Sequence, residues 1–318
     1  MIIINFFKRI GIFFKNLFIA LFQRMRPQRN FRWIFSAIIW LIVLIYIGFG
    51  VYIGIEVYKI HSESKATKFA VKIYPFPAAV INGNVVWTKN YYQQLAYIRQ
   101  FSTKTKQPVP DPATLRKQII DQLIETKILE IQAQKYNIKV TNKDVDDAYQ
   151  KIVSQSGGAS EVKKVLTELY GMSENDFKQL VSQQVLKEKI QSEVIQQVKV
   201  SHILIKDENT ANDVAARAKK GEDFAALAKQ YSEDTKSKDN GGELGWLAKG
   251  QLVINNTPLP EFDQAAFAAN KGTIVGPIKT SAGFEIIKVE DKKGSVNQDY
   301  NSWLAGLKKN TKIWYLIK

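Results

Sequence analysis

Residues 33–55, WIFSAIIWLIVLIYIGFGVYIGI, run without a single charged side chain. As a helix, at about 1.5 Å per residue, the run reaches about 34 Å, enough to cross a hydrocarbon core of about 30 Å. A helix also satisfies every backbone N–H and C=O within the segment, which lipid cannot do. A cleaved signal peptide has a shorter apolar stretch, about 7–15 residues, ending in small residues. Here the run continues into Val51-Tyr52-Ile53-Gly54-Ile55-Glu56. The segment therefore predicts an uncleaved anchor over residues 31–58.

The flanks orient it. Lys8, Arg9, Lys15, Arg24, Arg26, Arg29 and Arg32 precede the run with no acid among them, whereas Lys59, Lys65, Lys68 and Lys72 follow it mixed with Glu56 and Glu63. The excess of basic residues before the span places residues 1–30 in the cytoplasm and everything after about residue 58 outside. The formal net charge is +15, and most of it sits in the first 72 residues. Charge that flanks an apolar segment suits anionic lipid headgroups, so a lipid bilayer is the expected partner and nucleic acid is not. Residues 1–22 are apolar around Lys8, Arg9 and Lys15, which predicts a basic amphipathic helix lying in the inner headgroup layer. Residues 59–77 read as a polar stalk.

The chain has no Cys, and its two His are His61 and His202. Disulfides, thiolate metal sites and a Cys nucleophile are excluded, and a multi-histidine metal site has too few ligands. No metal or cofactor is expected.

After Pro75 and Pro77, Asn82-Gly83 sits between two apolar runs, the signal of a two-residue hairpin turn. Helices follow with readable ends. Thr88 is placed to cap the first, and Asp111-Pro112 supplies a cap and a first-turn proline to the second. Thr141 with Asp144, and Ser173 with Asp176, have capping-box spacing. The last helix of the group runs to about residue 197. The acids of this region are surface-spaced and its apolar stripes read as core.

Asn82-Gly83, Ile119-Ile120-Asp121-Gln122-Leu123-Ile124-Glu125 and Ile138-Lys139-Val140-Thr141 together resemble the N-terminal domains of SurA- and PrsA-type extracytoplasmic chaperones. The resemblance implies that residues 78–197 form a mostly helical domain that holds unfolded clients.

Residues 198–291 read as β-α-α-loop-β-α-β-β. His202 alternates with Val200 and Leu204 on the first strand, so it points into the fold and must find polar partners. Three stretches carry a stronger resemblance: Phe224 through Asp234 (FAALAKQYSED), then Ser237, then Gly241-Gly242-Glu243-Leu244-Gly245. With Phe262-Asp263-Gln264-Ala265-Ala266-Phe267, Gly276-Pro277 and Gly283, they are similar throughout to the parvulin, or PpiC-type, peptidyl-prolyl isomerases. About 95 residues are covered. The resemblance implies an α+β fold with a four-stranded antiparallel sheet wrapped by helices, and catalysis of prolyl cis–trans isomerisation.

Carried over by position, His202, Asp234, Thr280 and Glu285 are the implied catalytic residues. Leu244, Leu247, Leu252 and Phe262 are the implied proline pocket. Residues 253–261, with Pro258 and Pro260, insert before Phe262, so Leu259 competes with Leu252 for its place. Glu285 stands in Gly283-Phe284-Glu285-Ile286-Ile287 where most active members carry a second His. It can accept a hydrogen bond from His202 or raise its pKa, and either way the paired-imidazole arrangement is lost.

Residues 292–318 read as a helix and a strand. By resemblance, that strand returns to the hairpin near residues 80–87. The implied function is a membrane-anchored isomerase and foldase for unfolded or nascent exported polypeptides containing proline. The competing reading is a holdase whose isomerase domain binds peptide without turnover.

Overall fold

The computed structural model describes residues 29–254 and 257–317. The amphipathic helix expected over residues 1–22 lies outside the described residues. Helix α1 (Arg29–Ile55) continues as a π-helical turn over Glu56–Ile60. One helical stretch, Ser36–Ile60, is long and apolar enough to cross a membrane, and very little of its surface is covered by the rest of the protein.

By internal contacts the chain divides into two compact units. One comprises residues 1–127, 163–172 and 311–318, the other residues 128–162 and 173–310. The helices expected to form a single domain over 78–197 are thus shared between the units.

In the first unit the expected stalk is folded. Helix α2 (Lys65–Ile73) starts at Ser64, whose hydroxyl accepts from the Thr67 N–H, and buries Ala70 and Val71. Behind it the chain turns back on α1. The Tyr74 ring stacks on Tyr46 at 4.6 Å and its hydroxyl donates to the Tyr46 carbonyl at 3.0 Å. Tyr58 donates to the Pro77 carbonyl at 2.8 Å. The contacts of Tyr74 with Tyr46 reach 28 residues back along the chain, so composition alone reads as a linker.

Strands β1 (Pro77–Ile81) and β2 (Asn84–Trp87) form the predicted hairpin, with Asn82 at φ 44° and Gly83 at φ 86°. That is the left-handed pair a two-residue turn between right-twisted strands needs. The other edge of β1 pairs antiparallel with β9 (Ile313–Tyr315), in the register Ala79↔Tyr315 and Ile81↔Ile313. Helix α3 (Thr88–Thr105) follows, but Thr88 is its first residue and makes no cap; the hydroxyl is buried without a partner. Helix α4 (Pro112–Lys135) does start as expected, with Asp111 accepting from the N–H groups of Ala113 and Thr114 at 3.0 Å.

In the second unit, α5 (Asn142–Gln155) and α7 (Glu174–Glu193) both begin with complete capping boxes, at Thr141/Asp144 and Ser173/Asp176. Between them the first unit contributes part of a short helical segment, α6 (Ala159–Val165) with a π turn over Leu166–Tyr170. A four-stranded antiparallel sheet follows, in the order β4-β3-β8-β7, from β3 (Gln197–Ile205), β4 (Glu243–Ala248), β7 (Ile274–Lys279) and β8 (Phe284–Lys293). One face carries Ile203, Ile205 and Ile286 against α8 (Glu208–Lys219) and α9 (Phe224–Tyr231). The other carries Val198, Val200, Ile287 and Val289 against α10 (Pro260–Ala268). A short pair, β5 (Val253–Ile254) with β6 (Thr257–Pro258), precedes α10. Helix α11 (Tyr300–Asn310) buries Trp303 and Leu304 before the chain returns to β9.

Candidate active site

Strand alternation sends residues 198, 200 and 202 of β3 to the same face of the sheet. The first two are fully buried valines. The third is His202, 1% exposed. On β8 the same face carries Val289, Ile287 and then Glu285, which is completely buried. His202 lies opposite Ile287 and Glu285 opposite Leu204, so the two side chains are diagonal cross-strand neighbours. His202 Nδ1 and Glu285 Oε2 are 2.8 Å apart.

The loop after α9 supplies the other half. The Leu204 N–H donates to the Ser232 hydroxyl at 3.2 Å, and the Glu233 N–H donates to the Leu204 carbonyl at 2.8 Å. These bonds extend the strand edge and carry Asp234 to the imidazole, with Oδ2 3.0 Å from His202 Nε2. The Ser237 hydroxyl lies 3.0 Å from the same nitrogen and donates to Asp234 at 2.5 Å. The loop closes on His202 itself, whose N–H donates to the Gly242 carbonyl at 2.8 Å. Gly242 has φ +76°, and a Cβ there would stand 2.1 Å from the His202 carbonyl oxygen. Only glycine permits so close an approach.

Both imidazole nitrogens therefore face carboxylates. A neutral ring donates from one nitrogen only, while an imidazolium donates from both. Burial alone would lower the His202 pKa. The hydrogen bond and charge of Glu285, then those of Asp234, outweigh it and raise the pKa above its ordinary value. Burial likewise pushes the Asp234 carboxyl up, but the Ser237 hydroxyl and His202 together hold it below the usual carboxylate range. The native stability contributed by His202 is thus full below the ordinary imidazole pKa and fades as pH rises through the raised native value. That of Asp234 is present above the ordinary carboxylate pKa and fades as pH falls through the lowered one.

An expected result follows. Glu285→Gln removes the larger of the two contributions that raise the His202 pKa, so the His202 midpoint, read from its ring 15N shifts, moves down. An unmoved midpoint would mean that Glu285 does not hold the proton on His202.

The apolar wall is assembled beside this cluster. The Phe262 ring, 1% exposed, meets the His202 ring edge-on with centroids 6.2 Å apart. Leu247 and Leu259 are buried in the same cluster as Phe262, and Leu244 and Leu252 pack against it half-buried. A bulge in the β3–β4 pairing falls at Leu244, since Val200 pairs with Gly245 and Ser201 with Glu243. Of the two candidates around the insertion, Leu259 is fully enclosed in the core, and Leu252 keeps exposed surface.

Thr280 lies in the turn between β7 and β8. Its hydroxyl donates to the Gly283 carbonyl at 3.1 Å and accepts from the Ala282 N–H at 3.2 Å, holding the β7–β8 turn.

Two residues were passed over by sequence reasoning. Ser237 was visible only as a fixed place in the loop signature. Asp263, 5% exposed, accepts from the Gly250 N–H at 2.6 Å and ties down the loop that carries Leu252; burial pushes its carboxyl up.

Two family models match along the chain. Residues 183–293 match the PPIC-type PPIASE domain family, and residues 21–191 match the SurA-like N-terminal domain family. Foldase protein PrsA of Caldanaerobacter subterraneus subsp. tengcongensis is 32% identical over 292 residues, covering 83% of this chain and 88% of its own. Foldase protein PrsA of Geobacillus kaustophilus is 35% identical over 206 residues, covering 61% of this chain and 69% of its own. A crystal structure of the peptidylprolyl isomerase PrsA from Bacillus anthracis shares 30% identity, with a TM-score of 0.30 over 60% of this chain and 86% of that one.

Proposed function

This chain belongs to the PrsA foldase family, and from that premise we propose that prolyl isomerisation takes place where His202, Glu285, Asp234 and Ser237 meet the apolar wall of Phe262. The protein is a peptidyl-prolyl cis–trans isomerase and foldase chaperone for exported proteins. The observation that carries the catalytic reading is the buried His202, held between two carboxylates and edge-on to Phe262.

Rotation about a peptide bond costs about 18–20 kcal/mol because it breaks amide resonance. A catalyst needs no nucleophile for this. It needs a site that prefers the twisted amide to either planar form. Planar resonance places negative charge on the carbonyl oxygen, and twisting withdraws it. Asp234 is the cluster's partly exposed member, and its carboxylate beside that oxygen disfavours the planar form. Leu244, Leu247, Leu252 and Phe262 seat the pyrrolidine ring and exclude water, which strengthens the charge effect. His202 and Ser237 fix the Asp234 carboxylate, and Glu285 keeps the His202 proton in place. Thr280 acts by shaping the turn at the rim. A ten-thousandfold acceleration requires about 5.5 kcal/mol of preference for the twisted form.

The clients are unfolded or nascent exported polypeptides containing proline. Residues 78–197, completed by the returning strand β9, form the chaperone part, and residues 198–291 the isomerase. Helix α1 anchors the protein in the bilayer, with its basic N-terminal side in the cytoplasm and both functional parts outside. A protease added outside intact spheroplasts is expected to digest residues 78–318 and spare the first 30. Protection of the large fragment would overturn this orientation, and with it the role in folding exported proteins.

A further inference from the structure

Beside α1, in the first unit, lies a groove of about 340 Å³. Tyr46, Ile73, Phe76 and Trp87 form its walls, and Lys72 and Lys89 are the charged residues along it. Among the described residues no carboxylate lines it. Both lysines are exposed, and neither has an ion-pair partner among the described residues.

The depth of the groove follows from α1. About 20 helical residues cross the hydrocarbon core, so counting from Arg29 or from Trp33 puts its outer edge between Gly48 and Tyr52. Tyr46 then lies about 3–9 Å inside that edge. Because Tyr74 stacks on Tyr46 and also on Phe76, the end of α2 and the turn after it are held at this level. Here the acyl chains give way to glycerol and phosphate. Long lysine side chains at this depth extend toward the headgroups, and tyrosine and tryptophan favour the same zone.

The groove is also continuous with lipid-facing surface. Tyr46 is shared between its wall and the exposed face of α1, where Leu41, Leu44, Ile45 and Ile47 stand more than half exposed. On α2, Phe69 is 65% exposed and Ile73 52%, so the apolar surface extends beyond the spanning helix.

We propose that this groove binds one anionic phospholipid of the outer leaflet, its phosphate held by Lys72 and Lys89 and its acyl chains laid along α1. The inference rests on α1 spanning the membrane as described above. Its consequence is positional: a lipid held between α1, α2 and the start of α3 fixes the first unit at the membrane surface.

The test uses the full chain in nanodiscs of phosphatidylglycerol and phosphatidylcholine, followed by native mass spectrometry of the lipids it retains on release. Each lysine near an anionic surface is worth about a factor of five in affinity. Lys72→Gln with Lys89→Gln is therefore expected to lower the preference for phosphatidylglycerol by about 25-fold. A control on the exposed end of α3, Lys104→Gln with Lys106→Gln, leaves it unchanged. Equal retention of the two lipids, an unaffected double variant, or binding of inorganic phosphate in place of lipid would each overturn the proposal. Failure of the chain to enter nanodiscs would instead refute the spanning reading and take the lipid site with it. Nanodiscs impose no sidedness, so an inverted orientation in cells does not change the readout.

Discussion

Asp234→Ala is expected to lower the turnover of prolyl isomerisation by about a hundredfold and leave peptide affinity within about twofold. The magnitude is that of removing one preorganised electrostatic group from a water-poor site. The pattern follows from where Asp234 sits. Its carboxylate is spent on His202 Nε2 and the Ser237 hydroxyl, and it is not part of the apolar cluster of Leu247, Leu259 and Phe262. Interactions made equally with planar and twisted amide set affinity, and those gained on twisting set turnover. The substitution leaves His202 facing a single carboxylate, so the raised His202 pKa should fall as well. Retained exchange protection of the His202 and Leu204 N–H groups separates loss of the charge from a collapsed loop, because their bonds to Gly242 and Ser232 do not involve the carboxylate. Unchanged turnover, or a loss confined to affinity, would remove Asp234 from the reaction.

Deleting residues 311–318 is expected to destabilise the first unit by about 3–5 kcal/mol and to leave the four-stranded sheet nearly unaffected. The deletion strips β9 from the edge of β1 and removes Ile317, 2% exposed, whose N–H donates to the Ala78 carbonyl at 3.1 Å. Burial of one isoleucine contributes about 1.5–3 kcal/mol, and each lost strand hydrogen bond about 0.5–1.5. The total is a large share of the about 5–15 kcal/mol typical of a domain. Amide exchange distinguishes the units within one sample. Protection should fall at Ala79–Ile81 and hold at Val200–Leu204. Equal protection of β1 with and without the tail would show that β9 adds nothing to the first unit. Cutting earlier, after Asn297, is a less selective experiment, since it also removes Trp303 and Leu304 of α11 from the second unit.

What could be read from the chain, and what could not, divides by the range of the interaction. The Asn82-Gly83 turn and both capping boxes are local, because the residues that make them lie within four positions of one another. His202 was legible by alternation along its strand, and its contact with Glu285 by the pairing of two strands 83 residues apart. The expected cap at Thr88 failed because Trp87 occupies the cap position and the hydroxyl turns into the interior. The folded connector between α1 and β1 was not legible. Lys65, Lys68 and Lys72 make it look solvated, and what folds it is the contact of Tyr74 with Tyr46, 28 residues earlier. Ser237 went unassigned for a related reason. A serine in a polar loop resembles its neighbours until the loop's bonds to Gly242 and Asp234 bring it to the imidazole. Thr280 shows the converse: its place in the turn was evident, but its hydroxyl is consumed within that turn.

The central claim is catalysis of proline rotation at the His202 cluster, and exchange spectroscopy on a peptide with one proline tests it directly. Free in solution, such a bond interconverts over tens to hundreds of seconds at 25 °C. With the full chain present at a small fraction of the peptide concentration, cis and trans signals should exchange within seconds, and Asp234→Ala should return them close to the uncatalysed rate. Exchange that stays at the uncatalysed rate, while the same preparation still suppresses aggregation of an unfolded client, would contradict the account and leave a chaperone that holds peptide without turning it over.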